Sequence, residues 1–259
     1  MSISSRITAL AIAAVGLFLG VGGWLAGMPS TETVAETAPA QADLPSGSYI
    51  DASGALVQPT PAPASTTSAP VAPTIDGRWL AKVTAATTIP ARVLQAYAVA
   101  AVESVRTDPG CNLSWNTLAA IGFVESGNGT HGGASIDARG DLVGRIIGPA
   151  LDGTNNTMAI SDTDHGALDG DSRWDHAVGP FQFLPTTWEK FGTSAAGAAK
   201  ADPNQIDDAA LTAARYLCAG DRNLATPSGW NSAIHSYNDL DSYVDHVRSQ
   251  ADLYARESQ

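Results

Sequence analysis

A chain of 259 residues with 44% hydrophobic content holds enough apolar material for one sizeable core or two small ones. Its formal charge of −12 argues against a nucleic-acid binder, which needs a basic face, and fits a soluble, self-repelling surface.

From Ile7 to Met28 no residue is charged, with Arg6 before the run and Glu32 and Glu36 beyond it. Such a run matches the roughly 20 residues needed to span a bilayer. It exceeds the apolar core of a signal peptide, about 7–15 residues. Residues 1–28 are therefore expected to be an uncleaved anchor with Arg6 on the cytoplasmic side. A cleaved signal is the alternative, because Ala38-Pro39-Ala40 and Ala40-Gln41-Ala42 offer small residues at suitable spacing. Either way the remainder is exported.

Residues 29–76 are a different material. Eight prolines, from Pro29 to Pro73, are diluted with Ala, Ser and Thr, and no Lys or Arg occurs. This composition predicts a disordered, partly polyproline-like linker that holds the rest away from the membrane.

A folded domain is expected over 77–259, beginning near Arg78. Pro90 is a plausible first helical residue, and Val93, Tyr97, Ala100 and Ser104 mark one face of a helix running to about Val105. Glu103 near its end reads as part of a solvated face. Pro109-Gly110 makes a turn, and Ser114 has the place of an N-cap. Cys111 precedes this next helix and Cys218 ends a later one. In an exported chain the pair suggests a disulfide; two separate buried thiols are the alternative.

The helix after Ser114 is central. Leu118, Ile121, Gly122 and Glu125 recur at i, i+3, i+4 and i+7, which places a carboxylate on an apolar stripe. Gly127 and Gly129 act as a stop, so Glu125 falls in the last turn, at the negative end of the helix dipole. Apolar surroundings and the dipole both push its pKa up, as a general acid requires. The bland alternative is a Glu bending back to solvent at a frayed end.

Between Ser135 and Ser172 the periodicity fails. Leu142–Ile147 fits a short strand and Gly153-Thr154-Asn155-Asn156 a turn. Asp162, Asp164, Asp169 and Asp171 raise the question of calcium, but their spacing misses the EF-hand loop and its closing Glu. A solvated loop rimming a cleft, with no metal, is expected.

Gly179-Pro180 then turns the chain, and Pro185 starts a short helix that Gly192 ends. Gln182 is a lone amide in an apolar run. It is either satisfied by backbone groups or held at the cleft. Asp202-Pro203-Asn204-Gln205 resembles a capping box opening a helix with Ile206, Ala210, Ala213 and Leu217 on one face. Pro227 starts another helix, striped by Trp230, Ile234 and Tyr237. Asn238-Asp239 interrupts it, and Val244, Val247, Ala251 and Tyr254 mark the final one. The fold class is mainly α, with at most one small hairpin.

Glu125-Ser126, then Gly179-Pro180-Phe181-Gln182 followed by Phe183-Leu184-Pro185-Thr186-Thr187-Trp188, then Ser236-Tyr237-Asn238, resemble the ordered motifs of bacterial lytic transglycosylases. The similarity is greatest to the membrane-bound lytic transglycosylase B type in its compact actinobacterial form. It covers roughly Trp79 to Val247 and none of the anchor or linker. The family implies a lysozyme-like helical fold. It also implies cleavage of the MurNAc–GlcNAc β-1,4 bond of peptidoglycan, leaving 1,6-anhydroMurNAc ends. By the resemblance, Glu125 is the single catalytic acid/base, and Ser126, Gln182, Tyr237 and Asn238 lie near the scissile sugars. Ser236 stands where relatives often have Ala. The implied chemistry needs no cofactor or metal, and the implied partner is the glycan strand.

Two rival functions remain. A lysozyme-type hydrolase on the same fold needs a second carboxylate about 6.5–9.5 Å away to activate water, with Asp137 and Asp175 as candidates. A non-catalytic wall-binding module has no use for a carboxyl at the end of an apolar stripe.

Overall fold

A computed structural model describes residues 73–259 except Asn156, together with Tyr49–Ile50 and Leu56–Val57. The expected anchor and most of the expected linker lie outside the described residues. Within the latter, β1 (Tyr49–Ile50) pairs antiparallel with β2 (Leu56–Val57). Among the described residues no helix is long and apolar enough to cross a membrane.

Seven α-helices follow. Asp76, read from sequence as the end of the linker, caps α1 (Gly77–Thr87) by accepting from the backbone N–H groups of Arg78 and Trp79. Pro90 sits at the N-cap of α2 (Ala91–Thr107), so the helix begins one position after the expected start. Val93, Tyr97, Ala100 and Ser104 are all buried, as their spacing requires. Ser114 stands at the N-cap of α3 (Trp115–Ser126), but its hydroxyl reaches the Asn116 side chain rather than a backbone N–H. Gly127, at φ +58, closes the helix in the left-handed conformation that glycine adopts without penalty.

The amphipathic character expected of α3 needs correction. Every residue from Trp115 to Gly122 is buried, because α2 and α5 pack on it along with α7. Only the last turn emerges, where Phe123 is exposed and Glu125 partly so. Gly122 has a specific cause: a Cβ there would run into the hydroxyl of Tyr97.

Among the described residues of the domain, the one hairpin is β3 (Ser135–Ile136) with β4 (Leu142–Val143). The strand expected to continue to Ile147 stops at Val143, since Gly144 takes φ +97 and redirects the chain. Ile147 instead bridges to Val178, and Asp152–Ala159 and Ser161–Trp174 bridges lace the long loop together.

Pro185 opens α4 (Pro185–Phe191) and Gly192 ends it, as expected. The cap of α5 (Ile206–Cys218) is Gln205, not Asp202. The Gln205 amide oxygen accepts from the Asp207 and Asp208 N–H groups, while the Asp202 carboxylate is used within its own turn on Asn204. Thr226 caps α6 (Pro227–Tyr237), and α7 (Asp241–Glu257) completes the set. Cys111 and Cys218 form a disulfide with Cα atoms 5.4 Å apart, which ties the approach to α3 to the end of α5. The core is aromatic at its centre: Tyr97, Phe181, Phe183 and Tyr237 are fully buried, and Phe181 and Phe183 stack at 6.2 Å.

Candidate active site

Glu125 leaves the core at the last turn of α3, where the helix passes from full burial to partial exposure. Part of its surface meets solvent, yet enough protein packs around the carboxyl that burial pushes its pKa up to about 8. The opposing influence is a 2.6 Å hydrogen bond that the Tyr243 hydroxyl donates to its Oε1. A carboxyl with these properties holds its proton near neutral pH. Tyr243 was not singled out from sequence. It lies on α7 beside the marked face, at the start of the run Val244, Val247, Ala251, and only the packing of α7 on α3 brings it to the acid.

Ser126, next to the acid, is 2% exposed. Its hydroxyl donates to the Pro180 carbonyl at 2.6 Å and accepts from the Gly129 N–H at 2.9 Å. It therefore seats the Gly179–Gln182 turn on the end of α3. Val178 and Phe183 exchange both backbone hydrogen bonds across this turn, and the Gln182 N–H closes it onto the Gly179 carbonyl. Gln182 itself takes φ +49, a left-handed conformation that costs a non-glycine residue about 1–2 kcal/mol. Its Nε2 donates to the Gly179 carbonyl at 2.9 Å. Its Oε1 makes no protein hydrogen bond among the described residues and lies beside Gly148, where the missing side chain leaves room.

Tyr237 is fully buried and donates to the Phe181 carbonyl at 2.7 Å. Burial pushes both its hydroxyl and that of Tyr243 well above the ordinary range, and the nearby Glu125 charge acts the same way on each. Asn238 is buried at the end of α6, where its side-chain oxygen accepts from the Leu240 N–H and shapes the turn into α7. Glu125, Ser126, Gln182 and Tyr237 are thus linked through α3 and one turn, with Asn238 adjoining.

Both candidate second bases take hydrogen bonds from their own loops. Asp175 is wholly buried, with one oxygen accepting from the Thr163 N–H and the other from its hydroxyl. Asp137 Oδ1 accepts from the Asp141 and Arg139 N–H groups in the β3–β4 turn, which holds its carboxyl below the usual range, and Oδ2 lies 3.4 Å from the Arg139 guanidinium.

The loop expected to be solvated is not uniformly so, since Asp169 is buried and accepts from the Asp171 and His176 N–H groups. Asp162, Asp164 and Asp175 bring oxygens within 4.8 Å of one another. Each of these three carboxylates already accepts hydrogen bonds from the loop, from Asp164 and Gly166, from Ala167 and Leu168, and from Thr163. The grouping is accounted for as a turn scaffold.

A cavity of about 490 Å³ lies elsewhere, between α2 and α5. Its arginines are already paired, Arg92 with Asp207 and Arg106 with Glu103. The candidate site is therefore the one at Glu125. No known protein family, curated protein or solved structure matches the chain.

Proposed function

We propose that this protein is a peptidoglycan lytic transglycosylase with a lysozyme-like catalytic domain, held at the cell envelope by its N-terminal segment. The observation that carries the proposal is Glu125: one carboxyl, at the mouth of a buried helix, with a pKa near 8 and a tyrosine on one oxygen.

Tyr243 donates to Oε1, so the acid proton belongs on Oε2, the oxygen left for substrate. Glu125 gives that proton to the glycosidic oxygen as the bond to the MurNAc anomeric carbon breaks. The positive charge left on the sugar is met by its own N-acetyl carbonyl, a substrate-assisted route. The resulting Glu125 carboxylate, steadied by Tyr243, then takes the proton of the C6 hydroxyl. That oxygen closes onto the anomeric carbon, and no water is consumed. One carboxyl serves both steps, which accords with the engagement of Asp137 and Asp175 in their own turns.

Mass spectrometry of muropeptides released from purified cell wall tests the proposal. Anhydro ends, one water lighter than reducing ends, are the expected products. Mainly reducing ends would establish a hydrolase instead, and intact glycan with retained binding would establish a wall-binding module.

A further inference from the structure

The motifs that resemblance treats as separate sugar contacts are joined by two hydroxyls. Ser126 Oγ grips the Pro180 carbonyl, and Tyr237 OH grips the Phe181 carbonyl, the next one along the chain. Both side chains are spent inside the protein, at 2% and 0% exposure, so neither presents a surface to a glycan. One hydroxyl comes from α3, beside the acid; the other comes from the end of α6.

What they hold is a turn under strain. Gln182 sits at φ +49 and curls its amide nitrogen back over Gly179, leaving Oε1 as the polar atom on offer. A non-glycine residue stays in that region only where its surroundings over-determine it. Two grips on adjacent carbonyls, from two different helices, supply that constraint.

We propose that Ser126 and Tyr237 are positioning residues: together they fix where the Gln182 amide stands relative to Glu125, and neither touches substrate. This role rests on the glycan-cleaving function proposed above. Ser126 does most to set the distance, since it is bonded covalently to the acid residue and by hydrogen bond to the turn.

The test is a double-mutant cycle in the full-length protein, with turnover of soluble glycan strands as the rate. Ser126→Ala, Tyr237→Phe and Gln182→Ala should each lower kcat about 10–100-fold with a smaller change in KM. Adding Ser126→Ala to Gln182→Ala should cost less than about threefold more, because the group through which Ser126 acts is already gone. An independent reading comes from NMR of the Gln182 side-chain amide, which exchanges slowly while bonded to Gly179. It should exchange about tenfold faster in Ser126→Ala. Fully multiplicative rate losses would overturn the proposal, as would an amide signal unmoved by Ser126→Ala. If the unaltered protein cleaves no glycan, the function falls, and the amide measurement still decides the positioning role.

Discussion

The Tyr243 hydroxyl lies 2.6 Å from Glu125 Oε1, joining two helices whose residues are 118 apart in sequence. The bond favours the ionised acid, so it lowers a pKa that burial has raised. Tyr243→Phe should therefore move the Glu125 pKa above about 8. It should also slow catalysis about 10–100-fold, since the carboxylate formed by proton donation loses its donor. A carboxyl-carbon NMR titration reads the pKa directly. A value unchanged or lowered would show that the hydroxyl does not act on the acid.

Glu125→Gln should abolish cleavage, because an amide has no acid proton to give. It should also change stability in a pH-dependent way. The carboxyl titrates near 4.5 when unfolded and near 8 when folded. Between those values the folded protein keeps a proton that the unfolded chain has lost, so stability falls as pH rises through the window. Below 4.5 both states are protonated and this contribution is flat. The variant should gain on the unaltered protein from pH 4.5 to pH 8, by about 1–2 kcal/mol once partial exposure is discounted. Denaturant melts at several pH values measure it, and a constant offset would contradict it.

Asp175→Asn should cost stability while leaving the products unchanged. The Asn oxygen can still accept from the Thr163 N–H and its nitrogen can donate to the Thr163 hydroxyl, so two charge-assisted bonds become neutral ones, at a cost of about 1 kcal/mol. Anhydro ends should remain the main species whatever the rate. Loss of activity at full stability would instead make Asp175 a base.

Reduction of Cys111–Cys218 should lower stability by about 4–5 kcal/mol in the chain-entropy account, given the separation of 107 residues. Thermal melts with and without reductant measure this, and the Cys111→Ala/Cys218→Ala variant should match the reduced protein. Equal melting of oxidised and reduced protein would mean that the bond constrains little.

Local rules made much of the scaffold legible. Val93, Tyr97, Ala100 and Ser104 are spaced for one helix face, and Gly127 and Gly192 end helices where glycine is expected to. The acid was readable because a carboxylate on an apolar run is chemically conspicuous. Tyr243 was not, since no local pattern ties residue 243 to residue 125; α7 must first dock on α3. The 135–178 loop was opaque for a related reason. Its order comes from single bridges such as Ile147–Val178, which leave no periodic trace. The structural employment of Ser126 and Tyr237 was hidden as well, because their acceptors are backbone carbonyls, present at every position.

The disulfide closes residues 111–218 into a covalent ring that contains α3, α4 and α5. The acid and the Gln182 turn lie within it. Tyr237 and Tyr243 arrive from outside, on α6 and α7, and are held there by packing and hydrogen bonds alone. Local opening at a packed helix takes less free energy than global unfolding. If α7 swings away, water reaches Glu125 and restores it to an ordinary carboxylic acid, ionised at neutral pH and with nothing to donate. A molecule in that state keeps its ring, its acid and its turn, yet is chemically idle. On the proposed chemistry, cleavage would thus depend on the seating of α7 as well as on the acid itself.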